Sequence, residues 1–305
     1  MFRQFFGMKF NPFDKELETG MFYPSADLRE LNSRLKYLLE NRGIFLLVGE
    51  PGSGKTSAIR KFADSLGTTI YKLCYFSLTT LTVADFYDAL AFMLGEEPQY
   101  RKIDKFRQIQ KSIMNLYYDQ KILPVIIIDE IHMASTAVLD DLRMLFNFKM
   151  DSANPFVLIL AGQPLIRNKL ALNMCLPLKQ RIGLKYSMQG LTEQETVEYL
   201  KTRMQLAGTV NEIFTPESAL AIHTSSQGFP RNINNLATHS LMYAAGAGKQ
   251  IIDAEIVYQA GMELALYGGG PIGNPKQMYF TAHAWVVIHK SKKKEGSEHR
   301  SERAQ

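Results

Sequence analysis

The residues that carry the most chemistry stand at Gly49-Glu50-Pro51-Gly52-Ser53-Gly54-Lys55-Thr56, a run that fits G-x-x-x-x-G-K-[ST]. Glycines at these places let successive backbone N–H groups turn toward phosphate oxygens. Lys55 brings a cation for β- and γ-phosphates, and Thr56 brings a hydroxyl for Mg2+. Ser57 follows in the first turn of a helix whose positive end faces the same anion. An apolar run, Ile44–Val48, precedes the loop and an amphipathic stretch follows it, which is the strand–turn–helix context that a chance match lacks.

A second group gathers around PVIIIDE, a buried strand by its β-branched content, ending in Asp129-Glu130. Such a strand delivers its terminal carboxylates to the sheet edge where a P-loop also sits. Asp129 is expected in the Mg2+ shell, with Thr56, and Glu130 is expected to orient or deprotonate the attacking water. Gln163 follows FVLILAG, where an amide can bond a γ-phosphate or the lytic water. Arg181, just before IGLKYSM, is placed to reach a neighbouring subunit's nucleotide. Arg231 opens a helix after Gly228-Phe-Pro; a cation is unfavourable at that end of the dipole, so a ligand anion suits it. The expected ATP-binding set is therefore Glu50, Pro51, Gly52, Ser53, Gly54, Lys55, Thr56, Ser57 and Arg231, with Glu130, Gln163 and Arg181 catalytic. For nucleic acid the best patch is Arg101, Lys102, Lys105 and Arg107, beside Tyr100 and Phe106; the plainer alternative is a solvated helix face. His132, His223 and His239 have no metal-like partners in the sequence.

The elements that must hold these residues alternate. Leu28, Leu31, Leu35, Leu38 and Leu39 predict a helix, IFLLV a strand, and residues 69–76 a second strand. Helical stretches at about 82–94, 103–119 and 136–148 flank PVIIIDE, and two more strands follow. Strands separated by helices imply a parallel sheet covered on both faces. Near Gly190 the texture becomes all-helical: Thr192 with Glu195 is a capping box, Thr215-Pro216 a helix start, and Asp253 a further cap. The expected class is α/β: a three-layer αβα P-loop core with a five-stranded parallel sheet at 1–190, a small helical lid at 191–265, and a linker with a basic tail at 266–305.

Composition sets the bounds. The chain has 305 residues, 46% hydrophobic and 21% charged, which excludes a mainly disordered protein. No apolar run approaches the roughly 18 residues of a membrane span, and the start lacks a signal-peptide core, so no membrane partner is expected. Two distant cysteines, Cys74 and Cys175, exclude a disulfide scaffold and fit the cytoplasm. Of the net charge of +5, the segment Lys290–Gln305 supplies more than half, so any DNA site must be a local patch.

Taken together, the P-loop, the Asp-Glu strand, the polar residue after the fourth strand, the arginine before the fifth and Gly-x-Pro-Arg resemble an AAA+ ATPase. FFGMKFNPF…FYPS, GEPGSGKT and QGFPRNINNLATHSLMYA resemble the ExeA-type family, which includes secretion ATPases and transposition helpers similar to TnsC and TniB. The resemblance spans about residues 1–265. It implies hydrolysis of ATP to ADP and phosphate, self-assembly into rings or helical filaments with ATP between subunits, binding to duplex DNA, and recruitment of a transposase that hydrolysis releases. Secretion members continue into a membrane span, which this sequence lacks, so the transposition branch is the expected one and the secretion branch the alternative.

Overall fold

The described residues of this computed structural model, 2–77, 82–150 and 152–266, begin with one helical turn, α1 (Phe2–Phe5), and continue into α2 (Ala26–Asn41). The predicted leucine stripe is real: Leu28, Leu31, Leu35 and Leu38 are the buried residues of α2. β1 (Gly43–Val48) leads through the glycine loop into α3 (Lys55–Asp64), and β2 (Tyr71–Ser77) into α4 (Val83–Leu94) and α5 (Lys102–Met114). Past α5 the chain widens into a π turn at Asn115–Asp119 and enters β3 (Leu123–Asp129). α6 (Thr136–Leu145), β4 (Val157–Gly162), α7 (Leu165–Leu170), α8 (Leu176–Arg181) and β5 (Ile182–Ser187) complete this unit. Periodicity gave no signal for α7 and α8, which have six residues each, too few for a repeat to show.

The sheet order is β2-β3-β4-β1-β5, and every pairing is parallel. β1, β3 and β4 are buried at every residue, as continuous apolar runs in a two-sided parallel sheet must be. Ile44, Leu46, Val48, Ile126, Ile128, Leu158 and Leu160 share one cluster with residues of α4, α5, α6, α7 and α8. Their alternates Phe45, Leu47, Ile127 and Ile159 point the other way and are fully buried too. α2 packs on α3 and β5 and supplies the second cover. Each such side chain contributes about 1.5–3 kcal/mol on burial, so the central strands are the most costly place to cut. The register sets Ser77 beside Asp129 and Val48 beside Gly162. In the strand order β4 lies between β3 and β1, so Gln163 leaves the sheet between Asp129 and the glycine loop.

The second unit is helical: α9 (Glu193–Leu206), α10 (Pro216–Ser226), α11 (Pro230–Gly246) and α12 (Ala254–Leu266). The predicted caps form. Thr192 and Glu195 make a reciprocal capping box, Thr215 Oγ1 accepts from Ser218 N–H, and Asp253 Oδ1 accepts from Ile256 N–H. α10 closes on Gln227, at φ +54°, with Gly228 next at φ +73°.

One boundary differs from expectation. Residues up to Ser25, expected in the nucleotide-binding core, group with those from Gly190 onward, while Ala26–Gln189 form the other unit. The cause is apolar packing: Phe6, Met8 and Phe13 are buried in one cluster with Leu200, Met204, Ile222 and Leu241. Lys9 N–H donates to Ala207 O at 2.8 Å, and Phe13 meets Phe214 edge-on with ring centres 6.2 Å apart. The linker and tail expected at 266–305 lie, beyond Leu266, outside the described residues. No described helix is long and apolar enough to cross a membrane.

Candidate functional site

The glycine loop leaves β1 at Gly49, whose N–H donates to Gly162 O at 3.2 Å and ties the loop to the end of β4. A side chain added there would force its neighbours to move: a Cβ would stand 2.6 Å from Ser53 Oγ and 3.2 Å from Met188 Cβ. Gly52 and Gly54 have φ of +83° and +95°, the left-handed region that turns consecutive N–H groups to one side. Gly54 is also the N-cap of α3, so the first free N–H groups of that helix open onto the loop.

Lys55 is buried, and its Nζ donates to Gly49 O at 2.8 Å and Glu50 O at 3.0 Å. Its ammonium is thus held inside the curl of the loop. Ser53 is buried as well, and its Oγ has no hydrogen-bond partner among the described residues, although a buried hydroxyl ordinarily has one. A cradle of N–H groups, a caged ammonium and an orphan hydroxyl fit a polyphosphate. Glu50, Pro51, Thr56 and Ser57 are exposed around this cradle.

Asp129, at the end of β3, is 3% exposed. Thr56 Oγ1 donates to Asp129 Oδ2 at 3.0 Å, and Tyr75 Oη donates to the same oxygen at 3.3 Å. Asp129 Oδ1 accepts from Glu130 N–H at 2.8 Å. Two hard oxygens 3.0 Å apart suit adjacent ligand positions on Mg2+, whose oxygens at 2.0–2.1 Å stand about 2.9 Å from one another in an octahedron. The fold thus brings the side chains of Thr56 and Asp129, the two residues expected at Mg2+, within hydrogen-bond distance of each other. Burial and the neighbouring carboxylates push the Tyr75 phenol up to about 12, so it remains a hydrogen-bond donor to Asp129 at neutral pH.

Glu130 adopts φ +56° and caps the short turn Ile131–Met133. Its Oε2 lies 3.2 Å from Nδ1 of His132, a residue that is 6% exposed. Gln163 joins this group through its main chain, its N–H donating to His132 Nδ1 at 3.4 Å. The sequence reading missed His132 and Tyr75. Only the position of His132 two residues after Glu130, and of Tyr75 on the strand beside β3, pointed to them.

Three expectations fare differently. Arg181 is not free: its guanidinium donates to Arg143 O and Phe146 O, both at 2.8 Å, and so satisfies carbonyls at the C-terminus of α6. The basic patch is largely neutralised. Arg101 pairs with Asp104 at 2.7 Å, Lys102 with Asp141 at 2.8 Å, and Lys105 with Asp88. Lys105 is also buried, and Arg107, which is exposed, is the one of these four without an ion pair among the described residues; a run of cations in sequence is not a positive surface when α5 lies along acids of α4 and α6. Arg231 is exposed in the first turn of α11, in the helical unit, while the loop it was expected to serve is in the sheet unit.

A five-stranded parallel P-loop fold carrying this pocket defines an ATPase of the AAA+ class. Residues 38–170 match the AAA domain family. The chain is 30% identical over 287 residues to general secretion pathway protein A of Aeromonas hydrophila, a match covering 88% of this chain and 52% of that protein. The chain thus spans about half the length of that curated relative. Among solved structures it resembles Cdc6p of Pyrobaculum aerophilum, with TM-score 0.61 and 18% identity over 83% of this chain and 70% of that one. It also resembles the Aeropyrum pernix ORC1 protein in complex with DNA, with TM-score 0.56 and 20% identity over 78% and 64%. The Thermotoga maritima RuvB Holliday junction branch migration motor gives TM-score 0.53 and 22% identity over 80% and 73%. At these identities the structural likenesses establish the fold.

Proposed function

We propose that this ATPase is a nucleotide-driven assembly switch of the cytoplasm. With ATP and Mg2+ bound it associates with copies of itself on duplex DNA and recruits a transposase; hydrolysis releases the assembly. The observation that carries the chemistry is the Thr56–Asp129 hydrogen bond at the mouth of the glycine loop, with Glu130 next in the chain. Thr56 and Asp129 would hold Mg2+, which when bound supplies positive charge against the β- and γ-phosphate oxygens. Backbone N–H groups from Gly52 to Lys55 orient the phosphates, and Lys55 exchanges the loop carbonyls for phosphate oxygens. Glu130 accepts a proton from the attacking water as the water oxygen bonds to the γ-phosphorus; the bond to the ADP oxygen breaks and phosphate leaves. Gln163, which follows β4 where that strand lies between β1 and β3, would bond the γ-phosphate or the attacking water.

The DNA and transposase part of the proposal rests on the resemblance of the sequence motifs to transposition helpers, and is supported by a fold shared with ORC1, described in complex with DNA. It does not rest on Arg101, Lys102 and Lys105, whose charges are paired. A second reading is favoured by the 30% identity to general secretion pathway protein A: the same switch acting on a protein of a secretion assembly. One experiment separates them. The protein is incubated with duplex DNA and a non-hydrolysable ATP analogue, binding is measured by fluorescence anisotropy, and particles are imaged by electron microscopy. Nucleotide-dependent binding with rings or filaments on the duplex supports the first reading. Absence of binding at low salt, with ATP bound and hydrolysed, favours the second.

A further inference from the structure

The turn after β3 holds a contact that phosphate and metal binding leave unused. Glu130 has a left-handed backbone, which non-glycine residues rarely adopt and which persists only where the surroundings hold it. Oε2 of Glu130 is shielded from solvent and has no hydrogen-bond partner among the described residues; Nδ1 of the His132 imidazole lies 3.2 Å from it, at hydrogen-bond distance but without a hydrogen bond in this arrangement. Further contacts hold the ring and the turn that carries it. Gln163 N–H approaches the same Nδ1 at 3.4 Å. Lys169 Nζ donates to His132 O at 2.6 Å and Ala134 O at 2.7 Å, fastening the turn to α7. Gly162, the last residue of β4, has to lack a side chain, because a Cβ would stand 2.9 Å from Ile131 Cγ2 and 3.1 Å from His132 N.

One ring nitrogen therefore sits between the Glu130 carboxylate and the main chain of the β4–α7 turn. It cannot serve both at once: in the structure it accepts from Gln163 N–H, and only when it carries a hydrogen can it donate to Glu130 instead. We propose that His132 is a positioning residue for ATP hydrolysis, sharing its Nδ1 between Glu130 and the Gln163 turn, so that the turn facing the terminal phosphate sets where the general base stands. The proposal rests on the ATPase reading of Glu130. A buried histidine that only fills space would need no carboxylate at hydrogen-bond distance.

The test uses the full chain with His132→Ala, His132→Asn, Glu130→Gln and the double variant His132→Ala/Glu130→Gln. His132→Ala is expected to lower turnover at saturating ATP about tenfold or more and to leave ATP affinity within about threefold. His132→Asn, whose amide nitrogen can take the place of Nδ1, is expected to recover turnover to within about threefold of the parent. On the Glu130→Gln background His132→Ala is expected to add no further loss, because the group it positions is gone. A readout independent of turnover is the ring-nitrogen NMR spectrum of the six histidines without nucleotide. The signal that His132→Asn removes is expected to shift in Glu130→Gln. Unchanged or raised turnover in His132→Ala, an affinity loss as large as the turnover loss, an additive double variant or an unshifted signal each overturns the proposal. If Glu130→Gln itself turns over at the parental rate, the assignment of Glu130 as base has failed instead, and the NMR shift alone then decides whether the contact exists.

Discussion

At the scale of single residues, the pocket combines groups whose roles differ by contact. Lys55 and Ser53 are buried polar groups on the loop, the one bonded to carbonyls and the other without a hydrogen-bond partner among the described residues. Asp129 collects three hydrogen bonds from Thr56, Tyr75 and the Glu130 main chain, which leaves Glu130 as the adjacent acid not tied to the Thr56 side. Glu130→Gln is therefore expected to keep ATP affinity and to lose about 10²–10⁴ in turnover, as measured by phosphate release beside equilibrium ATP binding. Cys74 makes a contrasting case. It is fully buried, and burial pushes its thiol up to about 11, so almost no thiolate exists at neutral pH. In native protein it is expected to react with an aromatic disulfide reagent at no more than the rate of global opening, and rapidly after denaturation.

At the scale of elements, the glycine loop, the acid strand and the helix caps were legible in the sequence because each is local: a loop needs its own glycines, a buried strand its own apolar run, a cap its own Thr and Glu. Contacts made by elements distant in sequence were not legible. The ion pairs that neutralise Arg101, Lys102 and Lys105 come partly from α4 and α6, and the carbonyls that hold Arg181 come from the end of α6. Arg181→Ala is accordingly expected to cost about 1–3 kcal/mol of stability in dilute protein, from two charge-assisted hydrogen bonds, as read by urea unfolding. In the helical unit, His223 has its charged form disfavoured by burial, opposed only in part by Glu193. Thr196 Oγ1 already donates to Thr192 O at 2.8 Å, so His223 Nδ1, 3.0 Å from that hydroxyl, is the donor of a neutral ring. The folded pKa lies below the unfolded one, so the stability is present above about pH 6.5 and is lost as pH falls through the folded pKa. Amide protection across α9 and α10, taken relative to the intrinsic exchange rate at each pH, is expected to fall on acidification through that window, and His223→Gln to flatten the response.

At the scale of the whole chain, contacts divide the molecule in a way that chain order does not. Residues up to Ser25 carry aromatics without a clear period, so the sequence assigned them to whatever came next; Phe6, Met8 and Phe13 instead fill the helical unit. Phe13→Ala is expected to destabilise that unit by about 3–5 kcal/mol and to leave the sheet unit's exchange protection unaltered. The sheet of Ala26–Gln189 was readable because its strands and helices alternate in sequence, whereas a non-consecutive unit has no sequence signature short of the packing itself. During synthesis, ribosomes deliver roughly 5–20 residues per second, so the aromatic residues before Ser25 wait on the order of ten seconds or more while the intervening sheet is made. A sticky segment left unburied for that long is where a nascent-chain chaperone would find its first grip, and where recombinant yield would respond most sharply to translation speed.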